Sequence, residues 1–228
     1  IGVLVVQTRE QRPFNDWEVE TLETVAMVIA ELIAAARAKP DALNTAVSTT
    51  TCRMAHELFK MRGNALMKTK FSAAGTDSRG TINNCGTGYT PWGTYLTCEE
   101  NWAGYFRRGD EEAARGGATA RSNVSLARYG RAKNSSSRHG WETAGSDDKY
   151  ARWNNSKLGT SVDGSDDYRN EMNSMGYIVE LDAYDKNKAA RKRSALGRFA
   201  HESAAFGTPV AGQPLAVYMG DDSKNEYI

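Results

Sequence analysis

The chain is poor in the residues that most often announce a chemistry. Cysteine is scarce, with only Cys52, Cys85 and Cys98 in 228 residues. An odd count without C-x-x-C spacing excludes a disulfide framework and a zinc knuckle, and it leaves at least one thiol free or bound to something. Histidine is equally rare, at His56, His139 and His201, which argues against a histidine-rich zinc site. No apolar run reaches the ~18 residues of a membrane span. No basic leader with an apolar centre is present, so no signal peptide is read. Neither sign of charge dominates, with 29 Lys and Arg against 28 Asp and Glu. That balance removes any overall field for nucleic acid or an anionic membrane. The basic run KNKAARKR, Lys186 to Arg193, reads as a solvated turn. There is no G-x-S-x-G elbow, Walker loop or kinase signature. The chain opens on Ile1 and stops at NEYI, which suggests a piece of something longer.

What is present falls into two unlike parts. In residues 1–38, IGVLVVQ reads as a buried strand and REQRPFND as a polar turn, with Asn15 or Asp16 as a helix N-cap. Val19, Leu22, Val25, Ala26, Ile29, Leu32 and Ile33 then recur at helical spacing, until Pro40 ends the run. A polar, Thr-rich linker over 39–51 follows. From residue 52 the composition turns to Gly, Asn, Ser, Asp and aromatics. GTINNCG, GTYLTCEE, GYIVELDAYD, SALGRFAHE and PLAVYMGDD each read as a short strand running into a polar end. In the third of these, Tyr177, Val179 and Leu181 share one face while Ile178 and Glu180 share the other. The pattern points to an all-β sandwich, barrel or propeller. The connector from Arg107 to Asn173 is too long for an ordinary loop, and Trp141, Tyr150 and Trp153 mark it as an ordered insertion.

The densest chemistry lies in GTINNCGTGYTPWGTYLTCEENW, Gly80 to Trp102. Strands 81–85 and 94–98 would pair as a hairpin across the TPWG turn. Register alone would then set Cys85 and the pair Glu99–Glu100 at opposite ends. Spacing alone favours Cys85 as a small core residue and the glutamates as a solvated strand end. A thiolate near carboxylates would instead suit iron or zinc, and carboxylates alone calcium. Further acids close other strands: Glu202 beside His201, then Asp221 and Asp222, then Glu226. Such groups gathered at one place repel one another unless a cation neutralises them, so metal-assisted hydrolysis is the natural functional reading.

Two resemblances follow from these motifs. The run GVLVVQ with R.F, EVE and L.T.A resembles the last strand and helix of a GAF domain of the nitrogen-related phosphoenolpyruvate-protein phosphotransferases. RGNALMKT, RGTINNCGTGYTPWGTYLTCEENWAGYF, DYRNEMNSMGYIVELDAYD, LGRFAHE and VYMGDDSKNEY together resemble the PhoX-type alkaline phosphatases over about 52–228. The second resemblance implies a mainly β fold, here a partial β-propeller preceded by the GAF-type strand and helix. It also implies hydrolysis of small phosphomonoesters with iron and calcium, in which a metal-held oxide or hydroxide attacks and no side chain is the nucleophile. It carries iron ligation onto Cys85, and a carboxylate ligand onto Glu99 or Glu100, with Glu99 preferred. Glu202 becomes a further ligand, with His201 structural beside it. Asp221 and Asp222 hold calcium or shape a turn, Thr90 to Gly93 shape the hairpin turn, and Cys98 is a strand-buried thiol. Twin-arginine export, to the periplasm or beyond the cell, and a monomeric full-length protein are implied as well, whereas the GAF-like part suggests cytoplasm. Family members run to several hundred residues, so this chain would hold roughly the first two blades, with little or no activity alone. The alternative is a GAF-type regulatory module bearing a non-catalytic β region.

Overall fold

The computed structural model describes residues 58–185 and 187–223. The GAF-like reading of 1–38, the linker at 39–51, Cys52, His56 and Glu226 lie outside them. The described residues are mainly β with few helices. The strands are β1 (Leu58–Met61), β2 (Asp77–Arg79), β3 (Asn84–Tyr89), β4 (Tyr95–Glu99), β5 (Ile178–Leu181), β6 (Arg191–Lys192), β7 (His201–Phe206) and β8 (Val217–Asp221). The first six form one sheet in the order β2-β1-β6-β5-β4-β3, and β7 and β8 form a separate antiparallel pair. Pairing is antiparallel except between β1 and β6. Neither sheet closes on itself, so a propeller is not seen in the described residues.

The alternation read in GYIVELDAYD is the reason β5 can sit inside the sheet and be covered on both sides. Val179 and Leu181 pack with Phe59 and Ala190 on one face. Ile178 packs with Leu96, Cys98 and Ala204 on the other. That second face is where β7 lies down on the sheet. Gly86 and Gly88 of β3 permit the contact. A methyl group built on Gly86 would sit 1.3 Å from the Glu202 carbonyl oxygen, and one on Gly88 2.2 Å from that of Ala204.

The TPWG turn is built from its residue types. Gly93 N–H donates to the Thr90 carbonyl at 3.0 Å, with Pro91 fixing φ at the second turn position. Gly93 follows at φ +88, where a side chain would be strained. Trp92 reaches over to donate to Glu180 Oε1 at 2.8 Å and meets Phe206 edge-on at 5.7 Å.

The long connector is ordered, as its aromatics suggested. It carries α1 (Arg121–Arg128) and α2 (Asp148–Ala151). Its Leu126, Trp153 and Met172 pack with Trp102, Phe106 and Met175 from the flanking segments in one buried cluster. The basic run is a different matter from the solvated turn expected. Lys192 sits in β6 and its side chain is fully buried, because a carboxylate waits for it inside.

Candidate metal centre

The hairpin β3–β4 sets Asn84 opposite Glu99. The first residues of one antiparallel strand necessarily meet the last residues of the other. Cys85 and the glutamate pair therefore share one end of the hairpin, which corrects the expectation of opposite ends. The register shifts between Asn84 and Thr87, and a bulge of this kind re-aims the side chain at the extra residue. Asn83 precedes it at φ +49, a left-handed conformation that asparagine tolerates better than other side chains. From there Asn83 ties the two chain ends together. Its carbonyl accepts from Glu100 N–H at 3.1 Å, and its side-chain oxygen accepts from Asn101 N–H at 3.1 Å. This clamp holds Glu100 beside Cys85.

The third member comes from far along the chain. Because Gly86 lets β7 approach, Cys85 Sγ lies 3.9 Å from Glu202 Oε2. One donor atom each from Cys85, Glu100 and Glu202 lies within 4.8 Å of the others. The electrostatics show the strain of that gathering. Burial, then Glu202 and Glu100, push the Cys85 thiol above its ordinary pKa. Burial, then Glu100 and Asp222, raise the Glu202 carboxyl. A bound cation reverses both effects, since it favours thiolate and carboxylate together.

Glu99, one residue away, has the opposite surroundings. Its side chain is fully buried and pairs with Lys192 Nζ at 2.8 Å. Oε1 also accepts from Thr81 Oγ1 at 2.7 Å and Ile82 N–H at 3.3 Å. Oε2 accepts from Gly176 N–H at 2.8 Å and Tyr177 N–H at 3.1 Å. Successive strand residues point to opposite sides, so one glutamate of the dipeptide faces the interior and the next reaches the cluster.

The remaining candidates are placed as follows. His201 is buried, with its ring 3.6 Å from that of Phe199 and Nε2 3.4 Å from the Gly197 carbonyl oxygen. Burial lowers its pKa to about 4, so it is neutral. Asp221 stands opposite His201 in the β7–β8 register, and its Oδ1 accepts from Ala200 N–H at 3.3 Å and Ser223 N–H at 3.1 Å. Asp222 is exposed, and its charge is felt by Glu202. Cys98 is buried and its thiol is pushed up to about 12, by burial first. Sequence reasoning passed over Asn83 and Gly86, whose only signals were an asparagine pair and a glycine around the cysteine. It also passed over Lys192 as the partner of Glu99, and over a cleft of about 220 Å3 beside the cluster. Glu100, Asp221, Tyr129, Arg131, Arg138 and Phe199 are among the residues lining that cleft.

Comparison with known proteins bears on this site. Residues 43–228 match a family model described as alkaline phosphatase PhoX. The solved structure of Pseudomonas fluorescens PhoX in complex with vanadate, a transition state analogue, is 32% identical with a TM-score of 0.54. The match covers 74% of this chain and 26% of that one, so the chain spans about a quarter of that relative's length. No curated protein matches.

Proposed function

From the premise that this chain belongs to the PhoX alkaline phosphatase family, we propose that its region 52–228 is part of a metal-dependent phosphomonoester hydrolase. The convergence of Cys85, Glu100 and Glu202 carries the reading, since three separate stretches of chain deliver a thiol and two carboxylates within 4.8 Å. Among the described residues, no cationic side chain pairs with either of these carboxylates. A thiolate with carboxylates suits a borderline ion such as iron. Calcium takes 6 to 8 oxygens, and Glu100, Glu202 and Asp222 reach the lower figure only if every carboxylate is bidentate, so further ligands would come from substrate, water or further chain. Bound iron and calcium would offset charge developing on the phosphate oxygens.

The chain's own residues prepare that chemistry. Cys85 would hold the metal as its thiolate, releasing its proton to solvent, and its raised pKa would make that binding favour alkaline pH. Asn83 and Gly86 fix where Glu100 and Glu202 stand. Glu99 with Lys192 holds the hairpin end to the segment at Gly176, and neutral His201 packs the start of β7. The two sheets are read as the beginning of a propeller whose other blades lie in further sequence, with 1–38 as a separate GAF-like piece joined through 39–51. Export to the periplasm and a monomeric full-length protein are part of the same proposal. The regulatory alternative rests on 1–38 and gains no support from the described residues.

Metal analysis of the purified chain tests the reading. Iron with calcium should be present, and both should fall on Cys85→Ala or Glu100→Gln, while the chain alone turns over a chromogenic phosphomonoester weakly or not at all. A wild-type chain that takes up no metal, or a Cys85→Ala chain that keeps its full content, would falsify the assignment. Full phosphatase activity in the isolated chain would refute its incompleteness.

A further inference from the structure

The cleft beside Glu100 carries two cations that the metal chemistry leaves unused. Arg138 donates its main-chain N–H to the Gly104 carbonyl at 2.8 Å, which fixes where its side chain starts. The guanidinium lies across the bare face of Gly104. A methyl group built there would be 3.4 Å from each of Cζ, Nε and Nη2. Among the described residues no carboxylate stands within ion-pair distance of Arg138, and its side-chain donors meet no protein acceptor. Arg131 is adjacent. Its Nη1 donates to the Phe106 carbonyl at 3.0 Å and the Ser136 carbonyl at 2.8 Å. Its Nε is buried and has no partner, although a buried donor left unmatched is costly. Burial first, and the like charge of Arg138 second, lower the Arg131 pKa.

Glu100 belongs both to the cleft and to the metal-binding cluster. A phosphomonoester whose phosphate sits at the cluster would therefore extend its alcohol part into the cleft. Half-buried Tyr129 and Phe199 offer apolar wall there. A neutral alcohol would leave the Arg138 guanidinium without an acceptor, whereas a second oxyanion would meet its planar fork of donors, the geometry arginine offers to carboxylate and phosphate alike.

Building on the hydrolase reading above, we infer that the cleft selects phosphomonoesters whose leaving alcohol carries a second anionic group, a carboxylate or another phosphate. Arg138 is the residue that recognises that group, and Arg131 reinforces it.

The test is calorimetric binding of two non-hydrolysable probes to the metal-loaded 228-residue chain. Methylphosphonate carries only the phosphate-like end, and phosphonoacetate adds a carboxylate. Wild type should bind phosphonoacetate at least about tenfold more tightly, the size of one charge-assisted contact. Arg138→Gln should abolish that difference while leaving methylphosphonate affinity and the melting temperature unchanged. Arg138→Lys should retain part of it, and Arg62→Gln, a change at an exposed arginine elsewhere, all of it. Equal affinities in wild type, or a preference that survives in Arg138→Gln, overturn the inference while leaving the hydrolase reading intact. Failure of the metal-loaded wild type to bind methylphosphonate at all brings down both.

Discussion

Replacing Lys192 by methionine separates the two roles that the Glu99–Glu100 dipeptide plays. Lys192 Nζ donates to Glu99 Oε1 and to the Ser174 carbonyl, each at 2.8 Å, and both side chains of the ion pair are fully buried. Methionine preserves much of the volume but strands the carboxylate. Removing one partner of a buried ion pair costs about 3–5 kcal/mol, because the remaining charge stays desolvated. Four donors still reach Glu99, from Thr81, Ile82, Gly176 and Tyr177, which places the expectation toward the lower end of that range. For a domain of this size each kcal/mol moves Tm by about 2–4 °C, so the variant should melt roughly 6–12 °C below wild type. Thermal unfolding followed by circular dichroism at pH 7 measures this. Combining Lys192→Met with Glu99→Gln should recover part of the loss, since the stranded charge is gone. The same division predicts that Glu99→Gln leaves metal content nearly intact in chain that remains folded, whereas Glu100→Gln lowers metal content. A Lys192→Met chain melting within 2 °C of wild type refutes the buried pair. A folded Glu99→Gln chain stripped of metal refutes the division of labour.

Gly86→Ala should be among the most damaging single-methyl additions. The new carbon would overlap the Glu202 carbonyl oxygen, so β7 must move and take Glu202 with it; a loss of about 3 kcal/mol, the upper end for overpacking, together with reduced metal content, is expected from denaturant titration and metal analysis. Acid should destabilise the fold through His201. Its folded pKa of about 4 lies below the unfolded value of about 6.5. The unfolded chain therefore binds the proton more tightly, and stability falls as pH drops from about 6.5 to 4, by roughly 3 kcal/mol in all. Urea titrations across that window should show the decline in wild type and a flatter profile in His201→Gln. Alkylation of metal-free chain should modify Cys85 increasingly as pH rises above the ordinary thiol range, while Cys98 stays unmodified in the folded state. Loaded metal should protect Cys85, and peptide mass spectrometry distinguishes these sites from Cys52. Protection of Cys98 alone would contradict Cys85 as the ligand.

The strands were legible because their apolar alternation is local. Val179 and Leu181 faced one way and Ile178 the other in the sequence, and they do so in the sheet. Register was harder, because it depends on which backbone groups pair. A bulge after Asn84 is invisible in composition, yet it decides where Cys85 points. Lys192 was misread for a related reason. Five Lys and Arg in eight residues resemble a solvated face, and only the partner ninety-odd positions earlier reveals that one of them is interior. The cleft arginines sit in the long connector, where no periodicity ties Arg131 or Arg138 to anything. Their meaning comes entirely from Gly104 and Glu100 being brought beside them.

The fate of two adjacent glutamates is the best argument that the cluster is built for a cation. Had the fold merely tolerated acids at this hairpin end, both could have been left in solvent or both given internal partners. Glu99 instead receives a buried lysine and four further donors. Glu100 has the Asn101 amide at 2.6 Å, and its neighbours toward the cluster are a thiol and another carboxylate. Asp222 adds its charge to the same place. The fold thus supplies a counter-charge where the carboxylate is structural, and where three donors converge among the described residues it supplies none. Like charges brought within a few ångströms repel, and Asn83 in its left-handed turn and Gly86 under β7 are the residues that bring them together. A site so arranged is unfavourable when empty and favourable when filled, so metal loading should raise the melting temperature of wild type and leave that of Cys85→Ala unmoved.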